Sequence, residues 1–568
     1  MNFHCRKRTK QMRKIVLPNK YAQYLETCKN IKSVQTLESR DVSFEIEANG
    51  EQYSIMLIAL SDYKMPIVYL CNPKEGESNK PHQHYIRKYD LVHLCLSVRE
   101  DISVKNKNYR EIIDYTLARV LKLLSLSEQE EEKEFRKEFL YFWNYMATNK
   151  EKVALYIDTT SAAKRLCIYH DKEKMIVLDP IIKLNSYFSE KYSLSQTECL
   201  YIPVMNTKGI LPPLNNKSWS IEELRYILEQ CISETNATLI EEYDINTDRM
   251  FVVFEMNIPD TLPISFLIEI QYNKSTRGNI YRRLKDIRSI THWSSQRCDN
   301  KYLFKRIGID IRDTKKKALV IGAGSLGSYI IKEMPQIGYE SITIYDNDDL
   351  SYENIMRHRL GALYAYSNKA FAMKFELESS FPNLKVDYFN KKFGEDDIVK
   401  KDLDSFDIII VATGGTDFML GLNRKFKTIG IKKPVVFAWI EAMGIGIHSL
   451  LVDYSKQGCF KCLYTDSEIN KAHYAKQEQE FHNAGTGCGS VFNAYGNLTL
   501  LKGSAMILEL IIAATQQDKH FDINPLYSVR TKHIVKDKDF VISRRDFEAT
   551  NHFYVSERCE VCGLQVQE

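Results

Sequence analysis

Residues 316–334 read KKALVIGAGSLGSYIIKEM, and this stretch decides the fold of the C-terminal part of the chain. An apolar run leads into Gly322, Gly324 and Gly327, and a helical apolar pattern follows. This order predicts a strand, a glycine turn and a helix, the context in which a G-x-G-x-x-G motif binds a nucleotide. Glycines let the backbone approach phosphate, and the helix N-terminus offers free N–H groups and the positive end of its dipole.

A second strand, SITIYD, ends in Asp346, about twenty residues after the last glycine of the motif. This is the spacing expected of an acid that binds a ribose hydroxyl. From about Lys301 onward, apolar strands that end in Gly or Asp alternate with helical stretches, the βαβ pattern of a parallel sheet. We therefore expect a Rossmann-like α/β domain over 301–568.

Polar residues that suit a triphosphate follow the ribose acid. Asn354, Arg357 and Lys369 supply one amide and two cations, which fit a reacting triphosphate better than a pyrophosphate that is only held. A further strand, FDIIIVATGG, leads to Asp417, a carboxylate at the carboxyl edge of the sheet where Mg²⁺ could be held. The glycine motif alone leaves an NAD-dependent oxidoreductase open, and these residues argue against it.

The length and charge of the chain limit the number of domains and the classes of partner that it can have. A chain of 568 residues exceeds the size at which one core keeps growing, so several domains are expected. Its 78 basic and 74 acidic residues give a net charge of +4, which indicates no nucleic-acid or membrane partner. The basic N-terminus lacks the apolar segment of a secretory signal, and the most apolar run, 505–514, is shorter than the roughly 20 residues that cross a bilayer. We expect a cytoplasmic protein with reduced cysteines.

Two further segments precede the nucleotide domain. Residues 42–71 hold β-forming runs separated by Asn49-Gly50, which predict an antiparallel meander, and apolar residues at helical spacing follow over 113–124. We assign 1–128 to a small α+β module and 129–300, with its mixed strand-like and helical runs, to a central α+β linking domain. The fold class is thus α/β plus α+β.

Four cysteines form two C-x-x-C pairs: Cys459 and Cys462 in GCFKC, and Cys559 and Cys562 in RCEVC. Two such pairs supply the four thiolates that surround Zn²⁺ tetrahedrally. A redox dithiol is the alternative, but no thioredoxin-like pattern surrounds either pair. We expect a structural zinc knot that holds the C-terminus to the sheet.

The nucleotide motifs resemble the adenylation domain shared by ubiquitin-activating enzymes and the MoeB and ThiF sulfur-carrier activators. The resemblance rests on IYDND, on N-x-x-R, on Lys369 and on ATGGTD. It implies that Asp346 binds ribose, that Asn354, Arg357 and Lys369 bind the phosphates of ATP, and that Asp417 binds Mg²⁺. It also implies that Arg306 reaches the ATP of a partner protomer in a homodimer. Where the family usually has glutamine after the arginine, this chain has His358.

Two of the remaining cysteines stand in distinctive contexts. Cys488, in HNAGTGCGSVFNAYG, precedes an apolar helical stretch, and a helix N-terminus favours a nucleophilic thiolate. In the family a loop over the substrate tail precedes this helix, which makes Cys488 a candidate thioester cysteine; a packing role is the alternative.

Cys95 lies in KPHQHYIRKYDLVHLCLSVRED, an arrangement that resembles the ubiquitin-conjugating fold. Its usual His-Pro-Asn tripeptide is absent, and Pro81-His82-Gln83-His84 stands in that region, so the group that holds the oxyanion is not identified. His82 and His84 could also be ordinary surface residues. We predict that Cys95 is the conjugating cysteine.

Together the segments resemble the bacterial fusion of activating and conjugating modules found beside cGAS-like nucleotidyltransferases in anti-phage (CBASS) operons. This resemblance implies ATP-dependent adenylation of a protein C-terminus, thioester transfer, and conjugation to an amine, usually of lysine. The activated partner would be a cGAS-like nucleotidyltransferase or a ubiquitin-like protein. A sulfur-carrier protein adenylyltransferase, which gives Cys95 no role, and a non-catalytic adaptor are the alternatives.

Overall fold

The computed structural model of the chain describes residues 19–37, 41–62, 64–71, 73, 80–86, 88–96, 108–147, 152–195, 197–205, 207–213, 219–258, 262–310, 314–400, 402–474, 483–484, 491–492, 494–515, 521–530 and 552–563. The chain divides into two compact units. The first comprises Met1–Pro180 and Leu194–Arg297, and the second comprises Ile181–Ser193 and Cys298–Glu568. The three predicted domains 1–128, 129–300 and 301–568 stay predictions.

The first unit begins with an antiparallel sheet whose described strands follow the order β1-β2-β3-β4-β6-β5. The strands β2, β3 and β4 form the predicted meander, and Asn49 and Gly50 turn the chain between β2 and β3 with φ values of 49° and 77°. Positive φ at both positions matches the right-handed twist of a hairpin. The strands are β1 (Ile31–Thr36), β2 (Val42–Ala48), β3 (Glu51–Ile58), β4 (Ile67–Cys71), β5 (Gln83–Ile86) and β6 (Leu91–Leu94).

The helices of this region are α1 (Lys20–Leu25), α2 (Tyr109–Leu124), α3 (Glu128–Lys137) and α4 (Phe139–Met146). The predicted helix over 113–124 is α2, and its buried face packs on the core of the sheet. A capping box of Ser127 and Glu130 starts α3 and satisfies free N–H groups of its first turn. The acidic run 128–133 therefore belongs to the first turns of α3, where carboxylates favour the helix dipole.

A second, mixed sheet completes the first unit. Along the described chain its strand order is β14-β13-β12-β11-β8-β9-β7-β15. Trp143 of α4 is fully buried beside this sheet and donates its indole N–H to the carbonyl of Trp293 at 3.1 Å. The further strands are β7 (Val153–Tyr156), β8 (Lys164–His170), β9 (Met175–Leu178), β10 (Ser193–Leu194), β11 (Glu198–Val204), β12 (Arg249–Met256), β13 (Ile264–Tyr272), β14 (Ile287–Trp293) and β15 (Ser295–Arg297), and the further helices are α6 (Ile221–Tyr226), α7 (Glu234–Glu241) and α8 (Ile280–Arg283).

The second unit is a doubly wound α/β fold, in agreement with the βαβ pattern of the sequence. Its described strands follow the order β18-β17-β16-β19-β20-β21-β24; β16 to β20 are parallel, and β21 and β24 are antiparallel. The strands are β16 (Lys316–Ile321), β17 (Tyr339–Tyr345), β18 (Lys385–Phe389), β19 (Ile408–Val411), β20 (Val435–Ile440), β21 (Gly446–Val452) and β24 (Leu526–Arg530), with the short pair β22 (Asn483–Ala484) and β23 (Val491–Phe492) outside this sheet.

Alternate residues of β16 enter two different cores, because successive side chains of a strand point to opposite faces. Ala318 and Val320 join one buried cluster, and Leu319 and Ile321 join another. Helices therefore cover both faces, as parallel sheets require. The helices are α5 (Ser186–Lys191), α9 (Asn300–Arg306), α10 (Ser325–Glu333), α11 (Lys369–Ser380), α12 (Glu395–Lys400), α13 (Thr416–Thr428) and α14 (Asn497–Thr515).

The helix α14 is longer than the apolar run 505–514 suggested. By length and composition it could cross a bilayer. Its residues Leu500, Ile507, Leu510 and Ile511 are fully buried in the core of the second unit, however. The apolar character of α14 thus serves the packing of this helix on the sheet.

We expect Gly503→Ala to destabilise the second unit, because a Cβ at this position of α14 would clash with the side chain of Ile447 on β21. Overpacking of this kind typically costs about 1–3 kcal/mol. Gly421→Ala is the matched control: it lies in α13 with open space around its Cβ position and should stabilise the helix by roughly 0.5–1 kcal/mol. Thermal unfolding of the two variants should shift in opposite directions; equal shifts would contradict the close packing of α14 on β21.

Candidate functional site

The glycine loop joins β16 to α10 at the point where the strand order of the parallel sheet reverses. A Cβ on Gly322, whose φ is 101°, would lie 2.7 Å from the carbonyl oxygen of Ala412. A Cβ on Gly327 would clash with the carbonyl oxygen of Gly322, whereas Gly324 has open space around its Cβ position. The first and third glycines therefore permit close backbone packing, and the second leaves room for a ligand at the start of α10, as in dinucleotide-binding loops.

Asp346 follows β17 and is bonded to this loop. Its Oδ2 accepts the N–H of Ala323 at 2.7 Å, and its Oδ1 accepts the N–H of Asp348 at 2.9 Å. Burial raises the pKa of the Asp346 carboxyl, although these backbone hydrogen bonds oppose the rise. The bonds orient the carboxylate, whose remaining lone pairs are available to hydroxyl groups.

His358 also contacts the glycine loop, through the carbonyl oxygen of Ala323. Its ring is buried, Nε2 lies 2.7 Å from the carbonyl oxygen of Ala323, and Nδ1 accepts the N–H of Leu360 at 3.2 Å. Burial lowers the pKa of His358 to about 4, so the ring is neutral and donates through Nε2. The residue that departs from the family's usual glutamine thus donates to the loop carbonyl in this chain.

The predicted phosphate-binding side chains lie on the same edge of the sheet. Arg357 donates from Nε to Oδ1 of Asn354 at 2.7 Å, which holds the guanidinium and the amide together. Lys369, in the first turn of α11, is mostly buried, and its ammonium group lies 3.0 Å from Oδ2 of Asp348. Asp348 is itself 63% exposed, so this carboxylate holds Lys369 in place at the surface of the site.

A cavity of about 380 Å³ opens beside these residues, within the size range of small-molecule sites. Sequence reasoning missed several of its lining residues: Lys391, Lys392 and Phe393, which follow β18, and Phe418 in α13. Their signal is their position after a parallel strand or at a helix start, the edge that binds ligands in such sheets. The lining comprises Ile321, Gly322, Gly324, Tyr345, Asp346, Asn347, Asp348, Lys391, Lys392, Phe393, Ala412, Thr413, Gly415 and Phe418.

Of the predicted nucleotide-site residues, the lining includes Gly322, Gly324 and Asp346 and does not include Gly327, Asn354, Arg357, Lys369, Asp417 or Arg306. Asp417 is exposed in the first turn of α13, immediately before the lining residue Phe418. Arg306 is exposed at the end of α9, where its Nη1 lies 3.3 Å from the hydroxyl of Tyr302. Their roles toward Mg²⁺ and a partner protomer stay predictions.

The four paired cysteines converge. Sγ of Cys459 lies 3.7 Å from Sγ of Cys559, Sγ of Cys462 lies 3.3 Å from Sγ of Cys562, and the four sulfurs all lie within 4.8 Å of one another. Tetrahedral Zn–S bonds of about 2.3 Å place sulfurs roughly 3.8 Å apart. Asn423 donates to Sγ of Cys459 at 3.5 Å, a contact of the type that orients metal ligands. This donor set fits Zn²⁺.

A buried polar network, which sequence reasoning missed, lies beside β21. Nε2 of His448 lies 2.7 Å from Oε1 of Glu441, and Nδ1 of His448 lies 2.7 Å from Oγ of Ser528. Glu441 also accepts the backbone N–H of Tyr474 at 2.9 Å. The network therefore fixes Tyr474, the last residue of the continuously described stretch 402–474. Cys488 lies outside the described residues, and its role stays a prediction.

Cys95 directly follows β6 in the first unit, and its N–H donates to the carbonyl oxygen of His82 at 2.8 Å. Hydrogen bonds from His82 and His84 lower the pKa of the Cys95 thiol to about 6, and these bonds outweigh burial and the negative charge of Glu138, which both act to raise it. A thiol with this pKa is largely ionised at neutral pH, as a nucleophilic cysteine requires. Cys167, by contrast, has its pKa raised by burial.

Comparisons with known proteins give the following matches. Residues 301–549 match the model of the ThiF family. The chain is 28% identical over 209 residues to the "ATP-dependent ubiquitin transferase-like protein Cap2" of Pseudomonas aeruginosa (strain BWHPSA011 / Pa011), covering 34% of this chain and 36% of that protein. It is 40% identical over 106 residues to the protein of the same name from Enterobacter hormaechei subsp. hoffmannii (strain UCI 50), covering 18% and 17%. The matches thus span about a third or less of these relatives.

Among solved structures, the chain is similar to E. coli MccB with ATP, at 16% identity and a TM-score of 0.32 over 44% of this chain and 66% of that one. It is also similar to E. coli MccB with MccA, at 16% identity and a TM-score of 0.33 over 44% and 68%. The glycine loop, the predicted ribose acid Asp346 and the predicted phosphate-binding residues Asn354, Arg357 and Lys369 all lie within the matched residues 301–549. The part of the chain that carries the predicted nucleotide site thus matches the ThiF family.

Proposed function

We propose that the chain is an enzyme that uses ATP to adenylate the C-terminal carboxylate of a protein and then transfers the acyl group through cysteines to an amine. The observation that carries this proposal is the cavity within the residues that match the ThiF family, which is lined by the glycine loop, Asp346 and Asp348. Asp348 in turn holds the mostly buried cation Lys369. Adenylation needs positioned phosphates and neutralised charge rather than acid–base chemistry, and these residues supply both.

In the adenylation step, an oxygen of the substrate carboxylate attacks the α-phosphorus of ATP and pyrophosphate leaves. The loop N–H groups and the start of α10 would bind phosphate, and Asp346 would bind the ribose. Arg357 and Lys369 would offset the charge of the leaving pyrophosphate, and Asn354 would orient Arg357. Asp417 would hold Mg²⁺, which adds positive charge beside the phosphates.

In the transfer steps, the Cys488 thiolate attacks the acyl-adenylate carbonyl and AMP leaves. The Cys95 thiolate then attacks this thioester and the Cys488 thiolate leaves. An amine, such as that of lysine, finally displaces Cys95 and forms an amide. The name of the Cap2 relatives, ubiquitin transferase-like, and the lowered pKa of Cys95 support this relay.

The proposal includes partners and surroundings. The substrate would be a protein with an exposed C-terminal tail, either a cGAS-like nucleotidyltransferase of an anti-phage operon or a ubiquitin-like modifier, and the acceptor a lysine-bearing protein. The chain would act in the cytoplasm as a homodimer in which Arg306 reaches the partner's ATP. The N-terminal module would be ubiquitin-conjugating-like, a reading favoured by the antiparallel meander followed by Cys95 and α2.

The cysteine cluster would bind a structural Zn²⁺. Cys459 and Cys462 follow β21, whereas Cys559 and Cys562 lie near the C-terminus, so the ion would join segments about 100 residues apart. The burial of three of the four cysteines favours a structural role over a redox dithiol.

We expect Lys369→Ala to lower the rate of ATP–pyrophosphate exchange about 100-fold in the presence of a substrate tail, because a preorganised cation beside the transferred phosphate is lost. Asp346→Asn should raise the KM for ATP. Lys385→Ala, which removes an exposed lysine of the same unit, is the control and should change the rate by less than about twofold. Exchange that persists in Lys369→Ala would contradict the proposed phosphate site. Absence of exchange in the wild type would favour an adaptor.

We expect ATP-dependent protein adducts that disappear on treatment with a thiol reductant. Cys95→Ala should abolish the final conjugates while leaving adenylation intact, and Cys488→Ala should abolish every thioester. Cys167→Ala, the control, should leave the adducts unchanged, since burial raises the pKa of this thiol. Gel electrophoresis with and without reductant measures these species. A thiocarboxylate product without protein conjugates would instead favour the sulfur-carrier activator.

We expect about one Zn²⁺ per chain by mass spectrometry of the purified protein, bound by the four cysteines. Chelation, or Cys559→Ser, should lower the thermal stability of the second unit, because metal binding contributes directly to folding. Cys28→Ser, in the first unit, should retain the metal. A metal-free protein of undiminished stability would refute the zinc knot.

A further inference from the structure

Cys95 and His82 face each other across the strand pair β5–β6. Gln83 pairs with Leu94 and His84 pairs with His93, so the antiparallel register continues to His82 opposite Cys95. The backbone hydrogen bond from Cys95 to His82 closes this pair. Because side chains alternate between faces, these residues share the face opposite to the buried Leu94.

Two carboxylates, one in α3 and one at the residue that ends it, hold the ring of His82. Nε2 lies 3.1 Å from Oε2 of Glu134, and Nδ1 lies 2.9 Å from Oε1 of Glu138. Glu138 also accepts the backbone N–H of His82 at 2.8 Å. A neutral imidazole has one N–H, whereas the imidazolium has two, so only the protonated ring donates to both carboxylates.

The backbone of His82 is held in an uncommon conformation. Its φ is 61°, in the left-handed region that residues other than glycine rarely adopt. Such a conformation persists where surrounding contacts fix it, and it occurs often at functional sites. Here the N–H and the ring bind Glu138, and the carbonyl oxygen binds Cys95. The turn thus places a cation beside the sulfur.

We propose that Glu138 and Glu134 hold His82 as a permanent imidazolium, and that this cation stabilises the thiolate of Cys95. The inference rests on the proposed role of Cys95 in acyl transfer and deepens it. His82 is the catalytic residue, since it touches the reacting sulfur, and the two glutamates are positioning residues.

The ionisation of the site agrees with the geometry. Burial lowers the pKa of His82, but hydrogen bonds to Cys95, Glu138 and Glu134 outweigh burial and raise it to about 10. Burial likewise raises the pKa of Glu138 and Glu134, and the bonds to His82, with Lys137 acting on Glu134, bring both below their usual range. Between about pH 6 and 10 the pair is therefore a thiolate and an imidazolium.

The charges give His82 a different task from a general base. A ring that is already protonated at neutral pH accepts no proton from the thiol, so the thiolate exists before the acyl donor arrives. The same cation helps the last step, in which an amine displaces Cys95, because a thiol of lower pKa leaves faster. One electrostatic contact thus serves both the loading and the discharge of Cys95.

The two glutamates should contribute unequally. Glu134 also binds Lys137 at 2.7 Å, so its charge is shared, whereas Glu138 contacts both the ring and the backbone of His82. Glu131 lies on the same helix but pairs with Lys80 at 3.2 Å. His84 reaches the sulfur from the neighbouring position on β5, and its ring lies 4.3 Å from that of Tyr141. We therefore expect the neutralisation of Glu138 to raise the pKa of Cys95 most, that of Glu134 to raise it less, and that of Glu131 to raise it least.

The test is the pH dependence of Cys95 alkylation in the full-length protein. A short pulse of iodoacetamide, with mass spectrometry of the peptide that carries Cys95, gives the thiol pKa without ATP or substrate. The wild type should show a midpoint near pH 6. His82→Gln and Glu138→Gln should move the midpoint toward the ordinary value of about 8.5 and slow alkylation at pH 7 about tenfold. Glu134→Gln should move it less.

The controls separate this effect from loss of structure. Glu131→Gln should leave the midpoint unchanged, and Glu138→Asp should restore part of the shift because it keeps the charge. Thermal unfolding identifies any variant that fails to fold. If Glu138→Gln fails to fold, the midpoints of His82→Gln and Glu134→Gln test the inference. A midpoint near 8.5 in the wild type, or one that none of the folded variants moves, would overturn the inference.

The outcome is distinguishable from that of the proposed function. A low Cys95 midpoint that rises in His82→Gln, without any ATP-dependent adducts, would contradict acyl transfer and support the ion pair of His82 and Cys95. ATP-dependent adducts from a wild-type protein with an ordinary Cys95 midpoint would support acyl transfer and contradict the ion pair.

Discussion

The close approach of α10 to the end of β16 is the contact on which the nucleotide cavity depends. No side chain fits between Gly327 and the carbonyl oxygen of Gly322, so strand and helix meet through backbone alone. That contact aims the start of α10 at the cavity. Asp346 and His358 then bind the N–H and the carbonyl of Ala323 from opposite sides, so the loop is held before any ligand arrives. Because the loop is already ordered, ligand binding loses less free energy to the ordering of the loop.

Each of the two units holds a cation beside a proposed reactive position, and the partners of these cations differ. Lys369 is held by Asp348, a mostly exposed carboxylate that phosphate oxygens could replace. His82 is held by two half-buried carboxylates in addition to the thiol, and nothing in that arrangement needs to move for the charge to act. The first arrangement would suit a site that binds and releases an anion, and the second would suit a thiol that is ionised whenever it carries no acyl group.

Sequence patterns predicted most of the second unit and little of the contacts around its site. The glycine spacing, Asp346 and the βαβ alternation are local signals, because each follows from the element that precedes it. Lys391 and Phe393 could have been found only by recognising that β18 belongs to the parallel sheet and that its carboxyl end lies at the edge of the sheet that carries the cavity. The buried residues Glu441 and His448 are only seven positions apart, but they contact each other only when β20 and β21 align as neighbouring antiparallel strands.

By itself the sequence determined the parallel sheet, the nucleotide loop, the two cysteine pairs and the antiparallel meander, because glycine turns, C-x-x-C spacing and hydrophobic periodicity act over a few residues. Only the tertiary structure decided the surroundings of Cys95. Pro81-His82-Gln83-His84 offers no sign that His82 meets Glu134 and Glu138, residues more than fifty positions away. Charge pairing between distant segments depends on how a helix packs on a sheet, and no local pattern records that packing.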